Sequence, residues 1–328
     1  MDFIEELKKH GFNIGFTATE YSLKLLDEIR ASFEKTTDYK SLARAFIDIV
    51  EKTMLERPTS AQAHNILRDL GLIIAEGYED NIMYDKTREN LFKSIELWRR
   101  KVVEECNEAA LIASRRLLDG EVVMTNSRSI CVLKAFEYAA NEGKRLTVYV
   151  TESRPGMEGL ITAEKIAELG HKVKLIVDSG ARYFMKDVDK VLMGSEAVAI
   201  NGAVISKVGS SLISLIAYEA RVRVFYIAPT TKFSIETLFG ELVKLPEGDW
   251  RRLMSPDVFA SMPENYNARA PLFDVTPPNY IDGIATEQGL FAPQALPVVL
   301  KEVYGSWPPS LPSIEEVVEK VKQIYQGV

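Results

Sequence analysis

Two short phrases hold the groups that could do chemistry. Met124-Thr125-Asn126-Ser127-Arg128-Ser129 packs hydroxyls, an amide and a guanidinium into one turn, and Met193-Gly194-Ser195-Glu196 ends on a carboxylate. Ser127 and Glu196, about seventy residues apart, are the candidate pair. A carboxylate in a mostly apolar stretch has its charged form disfavoured unless it is paired. That suits Glu196 to general acid–base work or to a hydrogen bond with a sugar hydroxyl, and equally to a solvated loop acid. The 125–129 phrase reads either as helix capping by Ser and Asn or as an anion site in which Asn126, Arg128 and Ser129 take part. Arg57, Arg128, Lys207 and Lys232 suit a small anion, such as a phosphate at helix N-termini. Lys207 and Lys232 also read as ordinary surface lysines. Cys131 lies four residues after Ser127 on the same helix face and reads as a buried structural cysteine or as a thiol one turn below the site.

The elements around these phrases follow from hydrophobic spacing. Residues 1–118 read as a helical N-terminal domain, with helix signals over Tyr21–Lys35, Lys40–Glu56, Ala61–Ala75 and Thr87–Leu118. From Asp119 the pattern changes to short apolar strand signals alternating with helices. The strands are Val122–Met124, Leu146–Thr151, Val173–Val177, Val191–Met193, Val222–Ile227 and Ile281–Thr286. Continuous apolar strands alternating with helices predict an α/β fold over 119–328, a Rossmann-like, doubly wound, mostly parallel sheet. Both chemical phrases then fall just past the C-terminal ends of strands, where such sheets bind ligands. Asp178 and Arg154 fall at equivalent strand ends. Asn201-Gly202 predicts a hairpin, Phe273–Pro278 an extended lead into the last strand, and Pro246–Ala270 a surface excursion or interface segment.

Composition removes several function classes. The 328 residues are 46% apolar and 27% charged, with a net charge of −7. That balance, with no basic stripe, disfavours nucleic acid as a direct partner. No apolar run approaches the roughly 18 residues of a membrane span, and the acidic N-terminus lacks a signal-peptide core. Two cysteines and three scattered histidines make no metal motif, and cysteine scarcity suggests a reducing compartment, with cytoplasm as the default. Neither a dinucleotide glycine fingerprint nor a P-loop is present, so no cofactor is expected.

One family shares these residues in this order: Met124-Thr125 with Ser129, Val150-Thr151-Glu152-Ser153-Arg154-Pro155, Val177-Asp178-Ser179, Met193-Gly194, Asn201 to Gly209, Lys232-Phe233, and Phe273 to Pro278. The chain resembles, over about residues 45–305, the regulatory alpha, beta and delta subunits of translation initiation factor 2B. Archaeal ribose-1,5-bisphosphate isomerase and methylthioribose-1-phosphate isomerase share that superfamily. The resemblance implies a helical domain before a Rossmann-like one, a homodimer or higher assembly, and a sugar-phosphate pocket. It places Ser127 where the isomerases use a cysteine, Glu196 where they use an aspartate, and Ser206 where they have an asparagine. Arg57-Pro58-Thr59, Ser129, Lys207 and Lys232 are retained, and the counterpart of the glycine-containing phosphate loop is Asn13-Ile14-Gly15-Phe16-Thr17. Serine and glutamate at the two key positions look like the alpha regulatory subunit. A hydroxyl is a weaker acid than a thiol, and one added methylene shifts a carboxylate out of proton-transfer reach. The expectation is an archaeal regulatory or binding protein for a phosphorylated sugar or nucleotide, a possible partner of an initiation factor 2 subunit, without isomerase turnover. The alternative is an aldose–ketose isomerase acting on ribose 1,5-bisphosphate or a related phosphopentose, with Glu196 as acid–base and Ser127 or Cys131 in the thiol's role.

Overall fold

The computed structural model describes residues 15–239 and 245–326. Four helices come first: α1 (Ala18–Phe33), α2 (Tyr39–Glu56), α3 (Ala61–Glu79) and α4 (Tyr84–Ser114). Their starts are set by side chains that take up free backbone N–H groups. Thr17 and Glu20 form a capping box on α1, Asp38 and Ser41 one on α2, and Ser60 caps α3. On α1 the residues Tyr21, Leu25, Ile29 and Phe33 recur every four positions, and all are buried in one cluster with α2, α3 and the N-terminal half of α4.

The strands alternate with helices as the patterning predicts. In chain order they are β1 (Val122–Thr125), β2 (Thr147–Thr151), β3 (Lys172–Ile176), β4 (Lys190–Gly194), β5 (Ala197–Val198), β6 (Val204–Lys207) and β7 (Arg223–Ile227). After them come β8 (Glu247–Gly248), β9 (Ala270–Pro271), β10 (Phe273–Thr276), β11 (Gly283–Thr286) and β12 (Gly289–Phe291). The intervening and closing helices are α5 (Ile130–Asn141), α6 (Glu158–Glu168), α7 (Ser210–Ala220), α8 (Leu296–Tyr304) and α9 (Ile314–Gln326). The main sheet has seven strands in the order β12-β11-β7-β4-β1-β2-β3, all parallel except the β11–β12 edge. It is a Rossmann-like sheet covered on both faces. Alternate residues of each strand serve alternate layers, as the pleat requires. Val123, Val148 and Leu192 pack with α5 and the C-terminal half of α4, whereas Met124, Tyr149 and Val191 pack with α7 and α8. The strand order reverses between β1 and β4, so the ligand-binding crevice of such a sheet lies past these two strands.

Three features differ from the pattern-based expectations. Phe273–Thr276 is not a lead into the last strand: it pairs antiparallel with β6 in a separate three-stranded sheet, β10-β6-β5. The hairpin at Asn201-Gly202 forms the other half of that sheet, joining β5 to β6. Helix α9 buries Ile314, Val317, Val321 and Ile324 in the first helical cluster, against α2 and α3, although it follows the sheet in sequence. Its start is a capping box of Ser313 with Glu316. Finally, Cys106 on α4 and Cys131 on α5 are joined as a disulfide, with Cα atoms 5.3 Å apart. The sequence alone reads Cys131 as a buried structural cysteine or a thiol near the site; no local pattern reports that two cysteines 25 residues apart, on different helices, meet.

Candidate functional site

A cavity of about 340 Å³ opens past the ends of β1 and β4. Nine of the residues singled out in the sequence line it: Arg57, Asn126, Ser127, Arg128, Ser129, Glu196, Ser206, Lys207 and Lys232. Gly15, Phe16 and Thr17, from the expected phosphate loop, line it as well; Asn13 and Ile14 lie outside the described residues.

Ser127 stands in the turn from β1 to α5, with a left-handed backbone at φ 60°. A non-glycine residue held there stores strain and persists only when its surroundings enforce it. Here Ser153 Oγ accepts from the Ser127 amide at 2.7 Å, and Thr162 donates to the Ser127 carbonyl at 2.7 Å. Asn126 is spent on the same framework. Its amide group donates to Val208 O and Ser210 Oγ, and its oxygen accepts from Thr151 and Ser153. Ser129 is the N-cap of α5. Ser206 donates to the Gly194 carbonyl at 2.7 Å. Among the described residues no side chain accepts a hydrogen bond from the Ser127 hydroxyl. Cys131 is closed in its disulfide and has no thiol to offer, which removes it from the thiol role weighed above.

Glu196 is only 4% exposed and is not a solvated loop acid. Arg57 grips it with both arms, Nε to Oε1 at 2.7 Å and Nη2 to Oε2 at 2.8 Å. This two-pronged geometry holds both carboxylate oxygens against one guanidinium. Arg57 spends its third nitrogen on the Phe16 carbonyl at 2.8 Å. Lys232 is buried at 2% exposure, contrary to the surface reading, and donates to the Ser195 carbonyl at 2.9 Å. Burial pushes its ammonium down to about 8, with the Glu196 charge working the other way.

Two further cations meet carboxylates. Arg128 meets Glu20 at 3.0 Å, and Lys207 meets Glu158 at 2.5 Å. Neither acid was singled out in the sequence. Glu158 sits in the first turn of α6, after β2, and no motif in the sequence pointed to it. Arg252, from the 246–270 excursion, also lines the cavity. Two residues do not join the site. Asp178 accepts from the backbone amides of Ser153 and Arg154 at 2.7 Å, and Arg154 donates to the carbonyls of Arg252 and Leu253. Both brace the loops around the cavity.

Among the described residues no cluster of three or more His, Cys, Asp or Glu could hold a metal ion, and no helix is long and apolar enough to cross a membrane. The chain is 37% identical over 252 residues to the ribose 1,5-bisphosphate isomerase of Pyrococcus furiosus, covering 76% of this chain and 77% of that protein. It is 32% identical over 231 residues to translation initiation factor eIF2B subunit alpha of Dictyostelium discoideum, covering 67% and 70%. The crystal structure of the Pyrococcus horikoshii translation initiation factor eIF-2B superposes with a TM-score of 0.71 at 26% identity, over 88% of this chain and 96% of that one. The Initiation factor 2 subunit family profile matches residues 16–293, and this chain belongs to that family.

Proposed function

We propose that this protein binds a phosphorylated sugar or nucleotide in the β1–β4 cavity and acts as a regulatory, initiation factor 2B-like member of its family without isomerase turnover. The observation that carries the reading is the pairing of Glu196 with Arg57, opposite a serine whose hydroxyl no described side chain takes up. A sugar isomerisation needs a group that takes and returns a proton within hydrogen-bond reach. Here both carboxylate oxygens face one guanidinium, and no described side chain accepts from the hydroxyl. The cations around the cavity support an anionic ligand.

A homodimer or larger assembly is part of the reading. Tyr183 and Tyr218, 71% and 59% exposed, lie on one side of the sheet, where Arg182 pairs with Glu219, and large exposed apolar groups of this kind mark contact surfaces. An initiation factor 2 subunit is the proposed protein partner and the cytoplasm of an archaeal cell the proposed setting. The isomerase reading has its own support, since the Pyrococcus furiosus relative is named for that reaction.

The test is to incubate the purified protein with ribose 1,5-bisphosphate and follow the sugar by phosphorus NMR, while scanning its thermal unfolding with ribose 5-phosphate. Thermal stabilisation by the phosphosugar with no ketose product is expected. Isomerisation that Glu196→Gln abolishes would overturn the regulatory reading in favour of the enzyme.

A further inference from the structure

Cys106 and Cys131, the chain's two cysteines, are closed against each other between α4 and α5. Both are buried, at 2% and 0% exposure. The bond sits where three elements meet beneath the cavity. Cys131 comes directly after Ser129 and Ile130, which start α5 and line the cavity. Its Sγ lies 4.0 Å from Thr19 Oγ1 in the first turn of α1, and Thr17, Ala18 and Thr19 line the cavity from that side. Cys106 belongs to α4, which buries its N-terminal half in the helical layer and its C-terminal half against the sheet. One covalent bond therefore fixes where α5 begins relative to the helix that joins the two layers.

The surroundings leave little slack. Ala109, Ala110 and Ala113 of α4 and Val132, Ala135 and Phe136 of α5 share one buried cluster with the two cysteines. A packed interior absorbs extra volume only by shifting its elements. Bonded sulfurs lie well inside van der Waals contact, and two thiols cannot. Opening the bond has to push α4 and α5 apart, and the first turn of α5 moves with its side of the cavity. The pair of Arg128 with Glu20 carries that movement across to α1.

We propose that the Cys106–Cys131 disulfide is a redox switch on the cavity. Closed, it holds the binding geometry; opened, it releases the start of α5 and lowers affinity for the phosphorylated ligand. This rests on the phosphosugar reading of the cavity and adds its regulation. The electrons balance: a dithiol donor gives two electrons and two protons, its own sulfurs close to a disulfide, and Cys106 and Cys131 become thiols. Because both sulfurs are buried, the donor reaches them when the α4–α5 seam opens locally. A ligand that favours the closed geometry opposes that opening, since coupling between two sites is reciprocal.

The experiment compares the full-length chain in its disulfide form with the same chain after dithiothreitol, with thiols counted in denaturant. Both forms are titrated calorimetrically with ribose 5-phosphate, and amide hydrogen exchange of residues 17–21 and 130–134 is followed without ligand. The reduced form is expected to bind about tenfold more weakly and to exchange faster in both segments. Saturating ribose 5-phosphate is expected to slow the release of thiols several-fold. Cys106→Ala/Cys131→Ala is expected to respond to dithiothreitol in neither measurement, which ties the effect to this bond. The wild-type comparison stands by itself if that variant does not fold. A lower melting temperature on reduction with affinity and exchange unchanged would make the bond a simple staple and overturn the proposal. Two free thiols persisting after mild oxidation would overturn it as well. If neither form binds ribose 5-phosphate, the phosphosugar reading falls, and exchange then decides the switch: a rise confined to the two segments upholds it, and no rise overturns it.

Discussion

Lys232 shows how one residue trades stability for affinity. Its ammonium is buried behind the cavity, and burial lowers its pKa to about 8 from the usual lysine value near 10.4. Between those values the unfolded chain binds more protons than the native one, so stability lost at neutral pH returns as pH rises from about 8 toward 10.4. An anionic ligand reverses the preference, because it favours the charged form. Ribose 5-phosphate affinity is therefore expected to fall as pH rises past about 8 in a titration series from pH 6.5 to 9. Lys232→Met is expected to flatten that profile while raising the melting temperature of the ligand-free protein. A steep profile that survives in Lys232→Met would assign the dependence to another group. Nine of the side chains picked out for their chemistry line one cavity. Their pairings were not legible, since Glu20, Glu158 and Glu196 meet their cations across gaps of 108, 49 and 139 residues. No local spacing encodes such distances, and for the same reason Lys232 carried no sign of its burial.

Single elements were readable where a period was sustained. The α1–α4 and β1–β4 signals reappear as elements because each has an apolar stripe or run that must be buried. Which neighbour buries it is a tertiary decision. The spacing of Ile314, Val317, Val321 and Ile324 shows a helix with one apolar face but not that the face returns to α2 and α3. Phe273–Thr276 likewise reads as extended without declaring β6 as its partner. The closing contact of α9 depends on one small residue. A Cβ at Gly71 would lie 2.4 Å from Val317 and 2.6 Å from the Phe46 ring, both in the packed interior. Gly71→Ala gains helix propensity but overpacks this seam, and the second effect is larger: a loss of about 1–3 kcal/mol is expected. Denaturant unfolding checks it, and restoration by Val317→Ala in the same chain would tie the loss to α9 rather than to α3 alone.

At the scale of the whole molecule, the helical layer and the sheet are joined by a buried polar seam directly behind the cavity. Gln62, Asn65 and Arg68 share one face of α3 at spacings of three. Gln62 donates to Thr231 Oγ1 at 2.8 Å, and Asn65 donates to the carbonyls of Thr231 and Phe233 at 2.9 Å. Arg68 pairs with Glu236, and both are nearly fully buried. Glu236 also accepts from the Ile314 amide at the start of α9, at 3.3 Å. One carboxylate thus ties α3, the segment after β7 and the closing helix together, while Lys232 lies within the stretch that α3 grips. Breaking a buried pair by removing one partner leaves a bare charge, whereas replacing both partners by apolar groups need not destabilise. Arg68→Met is expected to lower stability by about 3–5 kcal/mol, and Arg68→Met/Glu236→Met to recover much of that. Because the seam sets where Lys232 sits, ribose 5-phosphate binding is expected to weaken in the single variant and to return in part in the double one. Denaturant midpoints and titrations on the same three proteins read both quantities. A single variant that loses stability while binding normally would separate the seam from the cavity, and a double variant no better than the single would show that Glu236 acts through Ile314 rather than through Arg68.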